Sequence, residues 1–349
     1  MAMDVRGMKG PIGIVGMGRT GQSVVRFLRA RNIECIGFDE APRTVADVPL
    51  VVGPLEAADF GDCRRLIVSP GIDWRHPALE RARRQGIAVG GDLDVFSAHY
   101  QGEILAVTGT NGKTTTVTLI QTMLDTLPGG IEAAGNIGRP MLDLLDMPTP
   151  PRRVVLELSS FQLERATCLH PRWAALLNVQ PDHADMHRDM RAYEAAKLSL
   201  FAHQREGDRA LLPMGARWDA LHEDLRARGV RVARFGEDGA QAIAGLVPGD
   251  DGYLFWTQEG ERQRVARSEI RLCGRHQQMN LAVAAQAAAD YGVAPVVIRE
   301  AVCSFRGLAH RLQWVGHALG HDWYDDSKAT NPAAAMAALG EFARVIWIC

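Results

Sequence analysis

The sequence predicts an α/β protein made of parallel sheets with helices on both faces. Three observations point there. Short apolar strand patterns alternate with helical ones along nearly the whole chain. The glycine turn Gly16-Met17-Gly18-Arg19-Thr20-Gly21 follows the first strand pattern and opens a helix. A second turn, Gly109-Thr110-Asn111-Gly112-Lys113-Thr114-Thr115, does the same further along. Such turns form where a parallel strand ends and a helix begins, with backbone N–H groups pointing outward.

The elements follow in order. Apolar strands are expected at 12–15, 35–38 and 66–68, with helices between them, and the first unit closes near Gly91. Residues 92–98 read as a short connecting helix. A second unit starts at the Ile104 strand and is expected to end near Phe305, with further strands at 154–158, 174–178 and 210–212. Residues 253–256 and 264–266 alternate in the manner of a small β-hairpin, and 281–289 is an alanine-rich packed helix. A third unit opens at Gly307, with paired strands at 314–318 and 322–324 and a helix from Pro332. The run Arg344-Val345-Ile346-Trp347-Ile348-Cys349 reads as a buried parallel strand.

Composition narrows the function. At 349 residues the chain exceeds one ordinary core, so two or three domains are expected. A net charge of −2 gives no global field for nucleic acid or anionic lipid, so neither is an expected partner. No apolar run approaches the roughly 20 residues needed to span a bilayer. No secretory signal is read at the N-terminus. The six cysteines lie far apart, which suits reduced thiols in a cytoplasmic protein.

The second glycine turn carries the chemistry. It lies between an apolar strand and a helical pattern and continues into Lys113 and Thr114. This is a phosphate-binding loop, with Lys113 reaching the β/γ-phosphates and Thr114 ligating Mg²⁺. Its first standard glycine is replaced by Val107, so it is a short variant. The first turn, with Asp39 after the second strand, has the form of a dinucleotide fingerprint. It fits NAD or another pyrophosphate ligand such as a UDP-sugar. Glu157 ends an apolar strand, where a charge needs a partner or a metal. Asp182, His183, Asp185 and His187 cluster after another strand and suit a hard Mg²⁺ site more than zinc.

The order of motifs resembles one family. The loop Thr-Gly-Thr-Asn-Gly-Lys-Thr-Thr is similar to that of the Mur ligases and folylpolyglutamate synthases. Gly16–Gly21, Val68-Ser69-Pro70-Gly71-Ile72, Gly135-Asn136-Ile137-Gly138, 156–164, Asp182-His183, Lys197, Arg275-His276-x-x-x-Asn280, Gly307-Leu308-Ala309-His310-Arg311 and 326–331 follow in the order of the Mur ligases, in the branch that adds D-glutamate. The resemblance implies a Rossmann-like UDP-substrate domain at 1–92 and a P-loop ATPase-like central parallel-sheet domain at 93–306. It also implies the start of a third Rossmann-like α/β domain at 307–349, cut short at Cys349. The implied activity is ATP-dependent ligation of D-glutamate to UDP-N-acetylmuramoyl-L-alanine through an acyl phosphate, by a cytoplasmic monomer of peptidoglycan synthesis.

The resemblance also implies roles. Gly18, Arg19, Thr20, Asp39, Ser69, Gly71 and Asn136 would hold the UDP-substrate. Gly109, Thr110, Asn111, Gly112, Lys113, Thr114, Thr115, Asn280, Arg311, Asp326 and Lys328 would hold ATP, and Thr330 would face the amino acid. Thr114, Glu157, His183 and Lys197 would serve two Mg²⁺ sites, with Lys197 as a carbamate. Lys113, His183 and Lys197 would be catalytic. Three alternatives stay open: a nicotinamide oxidoreductase, a sister ligase for another amino acid, and an inactive nucleotide-binding remnant.

Overall fold

The computed structural model describes residues 4–5, 10–43, 48–182, 187–237, 241–247 and 252–348. A first sheet holds five parallel strands in the order β3-β2-β1-β4-β5, namely Leu50–Val52, Cys35–Asp39, Ile12–Val15, Arg65–Val68 and Ala88–Gly90. Helices α1 (Arg19–Arg29) and α2 (Pro77–Arg84) belong to this unit, and α3 (Asp92–His99) leads out of it. The central strand β1 is buried along its whole length, which is why it reads as an unbroken apolar run.

A second sheet has nine strands. Seven run parallel in the order β12-β11-β10-β9-β6-β8-β7. These are Ala242–Leu246, Arg231–Glu237, Arg209–Pro213, Trp173–Leu176, Glu103–Thr108, Arg153–Glu157 and Ile131–Gly135. The antiparallel strands β13 (Tyr253–Gln258) and β14 (Glu261–Ala266) continue the sheet at its far edge. The hairpin read from the alternating pattern is therefore an extension of the main sheet. Helices α4 (Lys113–Leu124) and α8 (Arg275–Asp290) pack together through Val117, Ile120, Leu281 and Ala285, all fully buried. Helices α5 (Ser160–Arg165), α6 (Met190–Leu198), α7 (Asp219–Ala227) and α9 (Pro295–Ser304) complete this unit.

The remaining piece is a hairpin, β15 (Gln313–Ala318) with β16 (His321–Asp325), and helix α10 (Pro332–Leu339). The expected buried strand at 344–349 is a correction. Residues 344–348 form no strand and are exposed, with Ile346 at 76%. No described strand lies beside them, so the apolar run has neither ladder partners nor cover. Cys349 lies outside the described residues.

The two large sheets share a core. Phe27 and Leu28 of α1 pack in one cluster with Met141, Leu142 and Leu144 of the second unit. Around it, Asp143 accepts from Ser23 Oγ and Arg26, both at 2.7 Å, and Arg31 pairs with Asp146 at 2.7 Å. Among the described residues no helix is long and apolar enough to cross a membrane.

Candidate active site

The phosphate loop sits between β6 and α4. Gly112 has φ +88°, and a Cβ there would lie 2.4 Å from Asn280 Oδ1. Only glycine fits both the backbone and that close approach. Asn280, buried on α8, thereby packs directly on the loop. The loop is fastened from the next strand: Asn178 accepts from the Asn111 amide at 2.9 Å and donates to the Asn111 carbonyl at 3.0 Å. Thr110 Oγ1 meets Tyr193 Oη at 3.0 Å and accepts from the Gln180 amide, also at 3.0 Å. The loop geometry is thus set by side chains from β9's exit and from α6.

Two ammonium groups converge here. Lys113 Nζ donates to the carbonyls of Gly109 and Thr110, both at 2.8 Å. Lys197 Nζ donates to the same Gly109 carbonyl at 3.0 Å and lies 4.4 Å from the Tyr193 ring centre. Burial lowers the Lys113 pKa, with Glu157 opposing the shift. Burial, and then Lys113, bring Lys197 down to about 7, with Asp182 opposing. Lys197 is only 2% exposed, so the ordinary expectation of a solvated helix lysine fails.

Glu157 ends β8 opposite these lysines and is 2% exposed. Its Oε1 accepts from Asn136 Nδ2 at 3.1 Å, while its buried Oε2 has no partner among the described residues. A buried, half-satisfied carboxylate at the strand end next to the phosphate loop offers a hard oxygen donor and fits Mg²⁺. Among the described residues no group of three His, Cys, Asp or Glu side chains forms a ready metal cage. His183 and Asp185 lie outside the described residues. His187 is described, and its Nε2 is 2.9 Å from Ser160 Oγ.

The third piece reaches the same loop. Arg311 donates to Thr114 Oγ1 at 2.9 Å, and Asn331 Nδ2 donates to Asn111 Oδ1 at 3.0 Å and to Asp182 Oδ2 at 3.2 Å. Arg311 is flanked by His310 (φ +65°) and Leu312 (φ +48°), a left-handed conformation uncommon outside glycine. It is held by Asp326 Oδ1, which accepts from the Leu312 amide at 2.8 Å, and by the Lys328 amide donating to His310 at 3.1 Å. Burial raises the Asp326 pKa. The side chains of Lys328 and Thr330 are exposed, and among the described residues no hydrogen bond or ion pair brings them to the loop.

The first glycine turn forms a second candidate site at the end of β1. A Cβ on Gly21 would lie 2.1 Å from the Gly16 carbonyl, whereas at Gly18 nothing lies within 4 Å. Gly21 is therefore a packing glycine, and Gly18 is open to a ligand. Thr20 is half-buried in the first turn of α1. Asp39 Oδ2 accepts from the Met17 amide at 2.7 Å and Oδ1 from the Ala41 amide at 3.0 Å. Burial pushes its pKa up, but those amides and Arg43 outweigh it and hold it below the usual value. Asp39 thus shapes its own turn. Ser69 Oγ donates to the Gly16 carbonyl at 2.7 Å. Arg19 donates to the Gly138 carbonyl, which joins this pocket to the Asn136 loop. Asn136 contacts Glu157, so its loop touches both the first glycine turn, through Gly138, and the carboxylate next to the phosphate loop.

Sequence reasoning missed Asn178, Tyr193, Asn331 and Arg165. Asn331 closes the motif at 326–331 and was given no role. Arg165 had no visible signal, because its partners are backbone carbonyls of another unit.

Comparison with known proteins agrees with this architecture. Residues 11–91 match the Mur ligase MurD-like N-terminal domain, and residues 107–288 match the Mur ligase middle domain. The UDP-N-acetylmuramoylalanine–D-glutamate ligase of Koribacter versatilis is 33% identical over 98% of this chain and 77% of its own length. That of Methylococcus capsulatus is 35% identical over 97% of this chain and 73% of its own. Among solved structures, the Thermotoga maritima MurF ligase in complex with ADP superposes with a TM-score of 0.56 at 15% identity, covering 96% of this chain and 72% of that one. The Neisseria UDP-N-acetylmuramate:L-alanyl-γ-D-glutamyl-meso-diaminopimelate ligase gives 0.57 at 19% identity, over 86% and 99%. The extent and identity of the sequence matches place the chain in the UDP-N-acetylmuramoylalanine–D-glutamate ligase family of Mur ligases.

Proposed function

We propose that this chain joins D-glutamate to UDP-N-acetylmuramoyl-L-alanine in peptidoglycan synthesis, using ATP and passing through an acyl phosphate. The observation that carries the reading is the junction at Gly109. There Lys113, Lys197 and the half-satisfied Glu157 crowd a phosphate loop that lies next to a pyrophosphate-type pocket. Residues 1–92 are assigned to the UDP-substrate unit, 93–306 to the ATP unit, and 307–349 to the unit that closes on them.

The uridine pocket is assigned Gly18, Arg19, Thr20, Asp39, Ser69, Gly71 and Asn136. The loop 109–115 with Asn280, Arg311, Asp326 and Lys328 is assigned to ATP, and Thr330 to the amino acid. An oxygen of the L-alanyl carboxylate attacks the γ-phosphorus as its bond to the ADP oxygen breaks. Lys113 leaves its two loop carbonyls for the phosphate oxygens and holds the charge that gathers there. The D-glutamate amine then attacks the acyl carbon, phosphate departs, and the amide remains. Thr114, Glu157, His183 and Lys197 would hold Mg²⁺ at two sites, where it would neutralise phosphate charge. The Lys197 amine is proposed to add CO₂ and serve as a carbamate, which its near-neutral pKa favours. The protein is taken to act as a monomer.

The test is phosphate release from ATP with UDP-N-acetylmuramoyl-L-alanine, with and without D-glutamate. Release that needs both substrates is expected. Release with neither, or with another amino acid in preference, overturns the reading.

A further inference from the structure

Arg165 is the last residue of α5, yet its guanidinium serves the other unit. It is 3% exposed. One nitrogen donates to the Val68 carbonyl at 3.2 Å and to that of Ser69 at 2.5 Å. The other donates to Pro70 at 3.1 Å and also to Ile72. Four carbonyls of one short loop are gathered on a single fork. The same loop is tied on its far side to the first glycine turn, through Ser69 Oγ and the Gly16 carbonyl. Trp74 lies beside the fork, 5.2 Å from the guanidinium carbon to the ring centre.

The other end of α5 matters equally. Its N-cap is Ser159, two residues after Glu157, with the Gln162 side chain closing a capping box. A rigid six-residue helix therefore runs from the carboxylate of the phosphate site to the wall of the uridine pocket. We infer that Arg165 is a positioning residue: it sets the distance and angle at which the 69–72 loop, and the substrate lying on it, meet the ATP site. This rests on the reading of residues 69 and 71 as uridine-substrate contacts. A planar fork with fixed donors suits this task, and a lysine point charge does not. Misplacement of a reacting group by about 1 Å is enough for a 100-fold loss of rate.

Asp92 is buried nearby, where burial raises its pKa to about 6 and the Arg165 charge opposes this. Removing Arg165 alone would strand that acid, so the informative variant is the pair Asp92→Asn with Arg165→Met, set against Asp92→Asn alone. The experiment combines calorimetry with UDP-N-acetylmuramoyl-L-alanine and with ADP, steady-state turnover, and hydrogen exchange over residues 69–72. Relative to Asp92→Asn, the double variant should bind the uridine compound at least 10-fold more weakly. It should lose a further 10-fold or more in kcat, exchange faster at 69–72, and keep its ADP affinity within about 2-fold. Arg165→Lys should recover the melting temperature but not kcat, which a merely structural role would not produce. Unchanged uridine affinity and kcat in a folded double variant overturn the inference. If the wild-type chain itself binds no uridine compound, the pocket assignment falls first, and the inference falls with it.

Discussion

The molecule carries two glycine turns built on one plan and used differently. Each follows a buried parallel strand and opens a helix, α1 in one case and α4 in the other. Their backbones offer the same N–H groups to a phosphate. What differs is the side chains that face them. The turn at residues 16–21 is tied by Asp39 and Ser69, and among the described residues no buried lysine lies against it. The loop at 109–115 has two lysines on one carbonyl, Lys197 buried and Lys113 partly so, and a carboxylate with an oxygen that has no partner among the described residues. Backbone geometry makes an anion site. Converging charge, held out of water, makes a site for phosphoryl transfer.

Four substitutions probe that contrast. The largest effect is expected from Lys113→Ala, which removes the cation at the transferring phosphoryl. Phosphate release should fall by roughly 10²- to 10³-fold, the scale of one preorganised stabilising group, while calorimetry with the uridine substrate stays unchanged. Loss of uridine binding as well would mean that the two turns are not separable.

Lys197→Ala comes next. If the carbamate is a ligand, most turnover disappears and added acetate or formate restores part of it. An inactive variant that small carboxylates leave inactive would assign Lys197 to packing against Tyr193 instead.

At the first turn, Gly18→Ala should fold normally, since nothing lies within 4 Å of the new Cβ. It should weaken uridine-substrate binding by about 10-fold through lost backbone approach, on the order of 1.4 kcal/mol. Calorimetry with NAD⁺ on the wild type should show no binding. Tight NAD⁺ binding would show instead that the first turn is an ordinary dinucleotide site.

Asp39→Asn should matter least. An asparagine keeps one carbonyl acceptor for the Met17 amide, so the melting temperature should drop by only a few degrees, for a loss of about 1 kcal/mol. A collapse of the fold would show that charge, and not an acceptor alone, holds this turn.

Much of this was legible in the sequence because parallel strands buried on both faces announce themselves. Strands β1, β6 and β8 are such runs, and each ends at a residue read as functional or just before one. The three-residue strands β3 and β5 were not legible. They are edge strands, and residues such as Val51 and Val52 remain about half exposed. Strand β11 was hidden by its arginines, whose long side chains interrupt the apolar pattern. The run 344–348 failed in the opposite sense. Its residue types suit a strand, but pairing depends on a neighbour that sequence pattern does not supply. Contacts across units, such as Arg26 with Asp143 or Arg311 with Thr114, join residues more than a hundred positions apart and leave no local trace.

The bond between Arg311 and the Thr114 hydroxyl has a thermodynamic consequence. A divalent cation held at that hydroxyl, as proposed, would meet a guanidinium already in place, and like charges repel. Occupancy of the loop by such a metal and docking of the hairpin piece through Arg311 would therefore be linked. Whatever factor the cation takes from the docking equilibrium, docking takes from cation affinity, because linkage is reciprocal. An anionic ligand that accepts from Arg311 while it engages Thr114 reverses the sign. Bare metal should loosen the third piece, and metal arriving with a polyphosphate should tighten it.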